Sequence, residues 1–273
     1  MHRPNHAGNN PGLSFGLTKV GKAMQVGVVI PTYNEVDNLP NLVSALFALP
    51  LELRLLVVDD NSPDGTGHLA DKLSDANPGR MNVLHRPERS GLASAYIRGF
   101  QQILEEDVDA VAQMDGDCSH VPAALPGMIK SLETCDLVLG SRFIDGGSVD
   151  EDWPFLRRVL SRWGNLYART ILNMPYQDLT TGYRLWRRQT LLDIPLGCIR
   201  SNGYFFQVEM AYLAYCLQHR IVEVPIFFAE RRSGRSKMSL HIQAEAALRI
   251  WQMLWAYRKI RRSGSTAHIK GTY

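Results

Sequence analysis

The residues best suited to chemistry are Asp115, Gly116 and Asp117, which directly follow the apolar run AVAQM at positions 110 to 114. Carboxylates this close repel one another unless a cation or hydrogen-bond donors lie between them. Magnesium typically takes one or two carboxylates and fills its shell with water and substrate phosphate oxygens, so the pair suits a divalent ion that holds a diphosphate. Gly116 is expected to let the backbone turn tightly, so that both aspartates face one ion. The structural alternative is that Asp117 only caps the next segment. Other acids also follow apolar runs: Glu35 after VGVVI at 26 to 30, and Asp59 and Asp60 after LRLLVV at 53 to 58. They predict a cleft in which five carboxylates converge. The first run is followed by PTYNE rather than by the G-x-G-x-x-G of a dinucleotide site.

Around this group, Asp60 is placed to accept hydrogen bonds from a nucleotide base or ribose, whereas Asp64 and Thr66 read as helix-capping residues. Arg142 follows a later apolar run, and Arg231 to Lys237 form a Gly/Ser-rich basic segment suited to clamping phosphate; the alternative is a solvated basic loop. His85 and His120 are read as structural, and Tyr204, Phe205 and Phe206 as core. Trp251 and Trp255 suit either a core or a membrane interface. The four cysteines show no C-x-x-C spacing, so neither a zinc site nor a disulfide scaffold is expected.

These side chains need strands to present them. Strand-length apolar runs alternate with amphipathic segments: helices over Asn38 to Ala48, Thr66 to Ser74 and Ser90 to Leu104, and after Pro122, with strands at 81 to 85 and 136 to 140. Such alternation implies an α/β fold with a mostly parallel sheet and helices on both faces, with ligands at the carboxyl ends of the strands. Later come a Gly-rich loop at 144 to 149, helices over Pro154 to Leu172 and Tyr204 to Gln218, and IVEVPIFFA as a late strand whose Pro225 marks an edge or bulge. A C-terminal amphipathic helix over Leu240 to Arg261 gathers Ala247, Ile250, Trp251, Leu254 and Trp255 on one stripe, beside basic residues. A chain of 273 residues with 45% hydrophobic content suits one domain over 25–262, flanked by flexible tails at 1–24 and 263–273. No run is long enough to span a bilayer and the start lacks the apolar stretch of a signal peptide, so a peripheral place at the cytoplasmic side of a membrane is expected. The net charge is only +3, and the acidic cleft argues against nucleic acid as a partner.

Taken in order, VVIPTYNEVDNLP, LLVVDDNSPDGT, RSGLASAYIRGF, MDGDCSHVP, VLGSRF, DLTTGYRLWRR and the Arg231 to Lys237 segment resemble the dolichol-phosphate mannosyltransferase (polyprenol monophosphomannose synthase) branch of the GT-A, Rossmann-like family 2 glycosyltransferases. The resemblance runs from about Val26 to Trp255. It implies inverting transfer of mannose from GDP-mannose to a polyprenyl or dolichyl phosphate with Mg2+ or Mn2+. It places Pro31, Tyr33, Glu35, Val58 and Asp60 in the nucleotide pocket, together with Asp115, Gly116 and Asp117. Asp115, Asp117 and Ser119 would meet the metal. Arg142, Arg231 and Lys237 would bind donor diphosphate and acceptor phosphate, with Asp117, Arg142 and Lys237 carrying the catalytic step. Gly116 and Cys118 depart mildly from the family pattern, a change that should preserve metal binding while loosening the turn. Relatives with membrane helices imply that this chain meets its lipid through a basic or amphipathic surface or a small membrane-anchoring subunit. The same motifs leave open a UDP-sugar donor (glucose or N-acetylglucosamine) or a non-catalytic nucleotide-sugar-binding subunit.

Overall fold

The computed structural model describes residues 23–230 and 249–266. A seven-stranded sheet has the order β3-β2-β1-β4-β7-β5-β8, and a small two-stranded sheet pairs β6 with β9. The strands are β1 Gln25–Thr32, β2 Glu52–Asp59, β3 Met81–His85, β4 Ala110–Gln113, β5 Leu137–Ser141, β6 Ser148–Val149, β7 Arg184–Arg187, β8 Ile221–Pro225 and β9 Phe227–Phe228. The helices are α1 Leu39–Phe47, α2 Thr66–Ala76, α3 Leu92–Ile103, α4 Leu125–Leu132, α5 Phe155–Leu172, α6 Arg188–Asp193 and α7 Tyr204–Cys216. Residues 249–256 are helical, and a short last helix covers Arg258–Ser263.

Side-chain alternation explains why both sheet faces are dry. In β1, Val26, Val28 and Ile30 enter the core layer with α1 and α4, while Val29 enters the layer with α3 and α7. Neighbouring β2 does the same with Leu53, Leu55 and Val57 against Leu56 and Val58. Continuous apolar strands are what a sheet covered on both faces requires. Helix α3 lies unusually close to the sheet. A Cβ on Gly99 would come within 2.4 Å of Val29 Cγ1, and one on Gly27 within 2.5 Å of Ile103 Cγ1. Parallel pairing in register, Val29 with Leu56 and Val28 with Ala112, brings the ends of β1, β2 and β4 to one edge of the molecule.

Three parts differ from the sequence reading. The segment after Asp178 yields an antiparallel strand, β7, inserted between β4 and β5, and then α6. The single late strand is two: β8 is the sheet edge and ends at Pro225, while β9 belongs to the small sheet. The C-terminal stripe also divides. Ile250, Met253, Tyr257 and Ile260 are buried, whereas Trp251 and Trp255 face outward; Ala247 lies outside the described residues. Among the described residues no helix is long and apolar enough to cross a membrane.

Candidate active site

Asp115 and Asp117 sit just beyond the end of β4. The turn that follows is built differently from expectation. The residue with left-handed backbone is Cys118 (φ 61°), while Gly116 is needed for proximity: a Cβ there would lie 3.1 Å from the Pro31 carbonyl oxygen and 3.5 Å from Glu35 Cγ. Asp117 is buried, and its Oδ1 accepts the Ser119 N–H at 3.0 Å. Asp115 is tied on two sides. Its Oδ1 accepts the Tyr96 hydroxyl at 2.7 Å, and its N–H donates to His120 Nδ1 at 3.0 Å. Burial, then the nearby Asp115 carboxylate, push the Tyr96 phenol well above its ordinary range. His120 is fully buried, stacks on Tyr183 and meets Phe228 edge-on.

The five predicted carboxylates do not form one cluster. Asp59 is buried and satisfied by its surroundings: its Oδ1 accepts Thr32 Oγ1 at 3.0 Å and Ser62 Oγ at 2.6 Å, and its Oδ2 accepts the Ser62 N–H at 3.0 Å. Asp60 pairs with Arg86 and accepts the Gly91 N–H at 3.0 Å, which fixes the start of α3. Glu35 Oε2 accepts the Asn38 amide at 2.7 Å. Among the described residues no group of three or more His, Cys, Asp or Glu side chains forms a metal cage. Asp64 accepts both the N–H and the hydroxyl of Thr66 at 3.0 and 2.6 Å, and Thr66 Oγ1 accepts the Glu35 N–H at 2.9 Å, so the loops after β1 and β2 are pinned together. Although burial opposes it, the Thr66 contacts hold the Asp64 carboxyl below its usual value. These are not conventional helix caps, since α2 begins after a left-handed Gly65.

Of the remaining expected nucleotide residues, Pro31 is buried at the end of β1, and Tyr33 lies half-buried with the Arg89 guanidinium 3.9 Å above its ring. Val58 is fully buried beneath α3, so its side chain belongs to the core. Arg142 is nine-tenths buried and held by Asp178 through Nε and Nη2, both at 2.7 Å, with Thr180 Oγ1 at 2.9 Å from Nη2. Asn165 of α5 supports this pair by donating to Thr180 Oγ1 at 3.0 Å and accepting the Leu179 N–H at 2.8 Å. Arg231 and Lys237 lie outside the described residues, as does the side chain of Tyr204. Phe206 is in the core and Phe205 is half-buried, while His85 forms an exposed pair with Asp71.

The arrangement suits a divalent cation on two counts. The Ser119 hydroxyl is fully buried beside Asp117 and has no hydrogen-bond partner among the described residues. Gly182 leaves a cradle against Asp115, because a Cβ there would stand 3.1 Å from Oδ2 and 3.3 Å from Oδ1. An orphaned buried hydroxyl on the same turn as two carboxylates fits a hard cation with oxygen ligands. Sequence reasoning passed over Tyr96, Gly182 and Asp178; small residues in DLTTG just before a strand are the signal that the chain approaches something closely.

This sheet, with an acidic turn at the end of a central strand and one reversed strand beside it, has the GT-A fold. The chain belongs to glycosyl transferase family 2, whose pattern matches residues 27–194. It is 45% identical over 227 residues to the undecaprenyl-phosphate mannosyltransferase of Micrococcus luteus, covering 83% of this chain and 93% of that one. Against the polyprenol monophosphomannose synthase of Mycolicibacterium smegmatis it is 42% identical over 232 residues, covering 85% and 86%. A solved structure of glucosyl-3-phosphoglycerate synthase from Mycobacterium tuberculosis, in complex with Mn2+, UDP and glucosyl-3-phosphoglycerate, shares the fold with a TM-score of 0.59 at 18% identity, covering 85% of this chain and 79% of that one. The chain is thus a glycosyltransferase similar to the polyprenol-phosphate mannose synthases.

Proposed function

We propose that this protein transfers mannose from GDP-mannose to a polyprenyl monophosphate with inversion at the anomeric carbon. The observation that carries the reading is the Asp115 to Ser119 turn, with its two carboxylates and its orphaned buried hydroxyl, in a chain whose relatives are named as polyprenol-phosphate mannosyltransferases. Asp115, Asp117 and Ser119 would hold Mg2+ or Mn2+. When bound, the ion neutralises the diphosphate and stabilises its departure. Pro31, Tyr33, Glu35 and Asp60 border the space for the nucleotide, and Arg142, kept rigid by Asp178, supplies positive charge near the leaving group. Arg231 and Lys237 complete the proposal as phosphate-binding residues.

In the transfer, an acceptor phosphate oxygen forms a bond to the anomeric carbon while the bond from that carbon to the diphosphate oxygen breaks, and GDP leaves with the electron pair. A phosphomonoester has a second pKa of about 6, so the attacking oxygen is already anionic at neutral pH and needs no dedicated base. The enzyme's task is to align it and to stabilise charge.

The lipid acceptor calls for a membrane-facing surface, and α5 supplies the best one. Phe155 (81% exposed), Leu156, Val159, Trp163 and Leu166 project from it into solvent, and the helix carries four arginines and no acid. Trp251 and Trp255 extend this face, with Trp251 Nε1 donating to Tyr167 Oη at 3.1 Å. An amphipathic cationic helix of this kind lies in the headgroup region of an anionic bilayer. The surface supports a peripheral place at a membrane, reached directly or with a small anchoring subunit.

The test is a panel of GDP- and UDP-sugars with a short polyprenyl phosphate and mass detection. GDP-mannose is expected to give polyprenyl-phosphate mannose, and Asp117→Ala to lower transfer by a factor on the order of a hundred to a thousand. Product from a UDP-sugar alone would overturn the donor assignment. Full activity of Asp117→Ala after exhaustive chelation would overturn the metal assignment.

A further inference from the structure

The hydroxyl of Tyr96 contacts the acidic turn without a part in the transfer chemistry. Tyr96 stands on α3, fully buried, with its ring stacked between Phe100 (5.7 Å) and Phe206 (5.9 Å). Its hydroxyl donates to Asp115 Oδ1 at 2.7 Å. Asp115 is thereby held by an element 19 residues away in sequence. The other constraints act on the same residue. His120 Nδ1 accepts the Asp115 N–H at 3.0 Å, so the neutral ring carries its proton on Nε2, which lies 3.9 Å from Oδ2. Gly182 packs closely against the carboxylate: a Cβ there would fall 3.1 Å from Oδ2 and 3.0 Å from His120 Cε1.

A carboxylate can meet a cation through one oxygen or through both. Mg2+ and Mn2+ favour six ligands in octahedral array, and a chelating carboxylate fits that poorly, whereas Ca2+ accepts one readily. With the Tyr96 hydroxyl donating to Oδ1, Asp115 presents Oδ2. We propose that Tyr96 is a positioning residue that makes Asp115 a one-oxygen ligand, and that this selects small octahedral cations over calcium. The inference rests on the reading of Asp115 and Asp117 as metal ligands and adds the source of their selectivity. Hydrogen-bonding partners of metal ligands commonly set affinity by ten- to a hundredfold.

The experiment is direct titration of the full-length protein with Mn2+, followed by electron paramagnetic resonance of the free ion, with Ca2+ as competitor and no sugar donor present. Tyr96→Phe keeps the stacked ring and removes only the hydroxyl. It is expected to bind Mn2+ about ten- to a hundredfold more weakly and to lose most of its preference for Mn2+ over Ca2+, with the melting temperature of the metal-free protein little changed. A general loosening of structure would weaken both ions equally and leave their ratio intact, so an unchanged ratio overturns the proposal. Should Tyr96→Phe fail to fold, Gly182→Ala crowds the same carboxylate and is expected to weaken Mn2+ binding; wild-type Mn2+ affinity in that variant overturns the proposal. Asp115→Ala and Asp117→Ala separate the two levels. If both still bind Mn2+ as the wild type does, the metal site itself is refuted; if both lose binding while Tyr96→Phe matches the wild type, only the role of Tyr96 is refuted.

Discussion

Asp178 is fully buried and still anionic, because Arg142 grips it with two parallel hydrogen bonds of 2.7 Å. Burial alone would raise its pKa, but attraction to the guanidinium and the hydrogen bonds from Arg142 and Thr180 hold it below the usual carboxylate value. Removing one partner of such a pair leaves a buried charge uncompensated, so Asp178→Ala is expected to cost roughly 3 to 5 kcal/mol at neutral pH, read by urea denaturation. The pH dependence has a definite sign. A depressed folded-state pKa gives stability that is present above the unfolded value of about 3.9 and is lost as pH falls through the lower folded value. The difference between wild type and variant should therefore shrink below about pH 4, and a constant difference down to lower pH would refute this account. Asp178 was not singled out in the sequence reading because its partner is 36 residues away and a lone Asp before Leu-Thr-Thr looks like a turn residue. Asp115 and Asp117 were legible, since acids directly after a buried apolar strand need a reason. Asp59 and Asp60 follow the same logic and also carry local bonds that the sequence does not announce: one organises the Ser62 turn and the other ties Arg86 to the start of α3.

Among the elements, α5 shows what periodicity can and cannot say. Its pattern predicts a helix over Pro154 to Leu172, and the helix runs Phe155–Leu172. Which face turns inward is not encoded by apolarity here, because the buried side is Asn165, Ala168 and Leu172 while larger apolar residues face out. An outward Leu or Trp gains about 1.5 to 3 kcal/mol when it enters an apolar environment. Leu156→Glu combined with Trp163→Glu is expected to reduce flotation with anionic vesicles by at least about tenfold while leaving thermal stability near that of the wild type. Unchanged flotation would move the membrane contact elsewhere. The strand β7 escaped the sequence reading for a complementary reason. Its four residues, RLWR, include two arginines, and Arg184 is nevertheless fully buried, with Nη2 donating to the Leu179 carbonyl at 2.8 Å and Nε to that of Thr181 at 3.0 Å. Burial draws its pKa down to about 9. A charged pattern concealed a core strand, whereas β1 and β2, with uninterrupted valine and leucine, were plain.

At the scale of the whole molecule, a net charge of only +3 conceals a division of labour between an acidic turn at the strand ends and a cationic helix with exposed aromatics. Attraction of that helix to anionic headgroups acts within a Debye length, which shrinks from about 10 Å at 0.1 M salt to about 3 Å at 1 M. Vesicle binding should fall across this range and level off at a residual set by the aromatic and leucine side chains, whereas binding that ignores salt would point to apolar insertion alone. The buried Asn165 joins the two regions. It donates to Thr180 Oγ1 at 3.0 Å and to Asp178 Oδ1 at 3.3 Å, and accepts the N–H groups of Leu179 and Thr180 at 2.8 and 3.1 Å. Through that one amide α5 and the clamp on Arg142 share a set of hydrogen bonds, so a substitution that repacks α5 reaches the guanidinium through a single side chain.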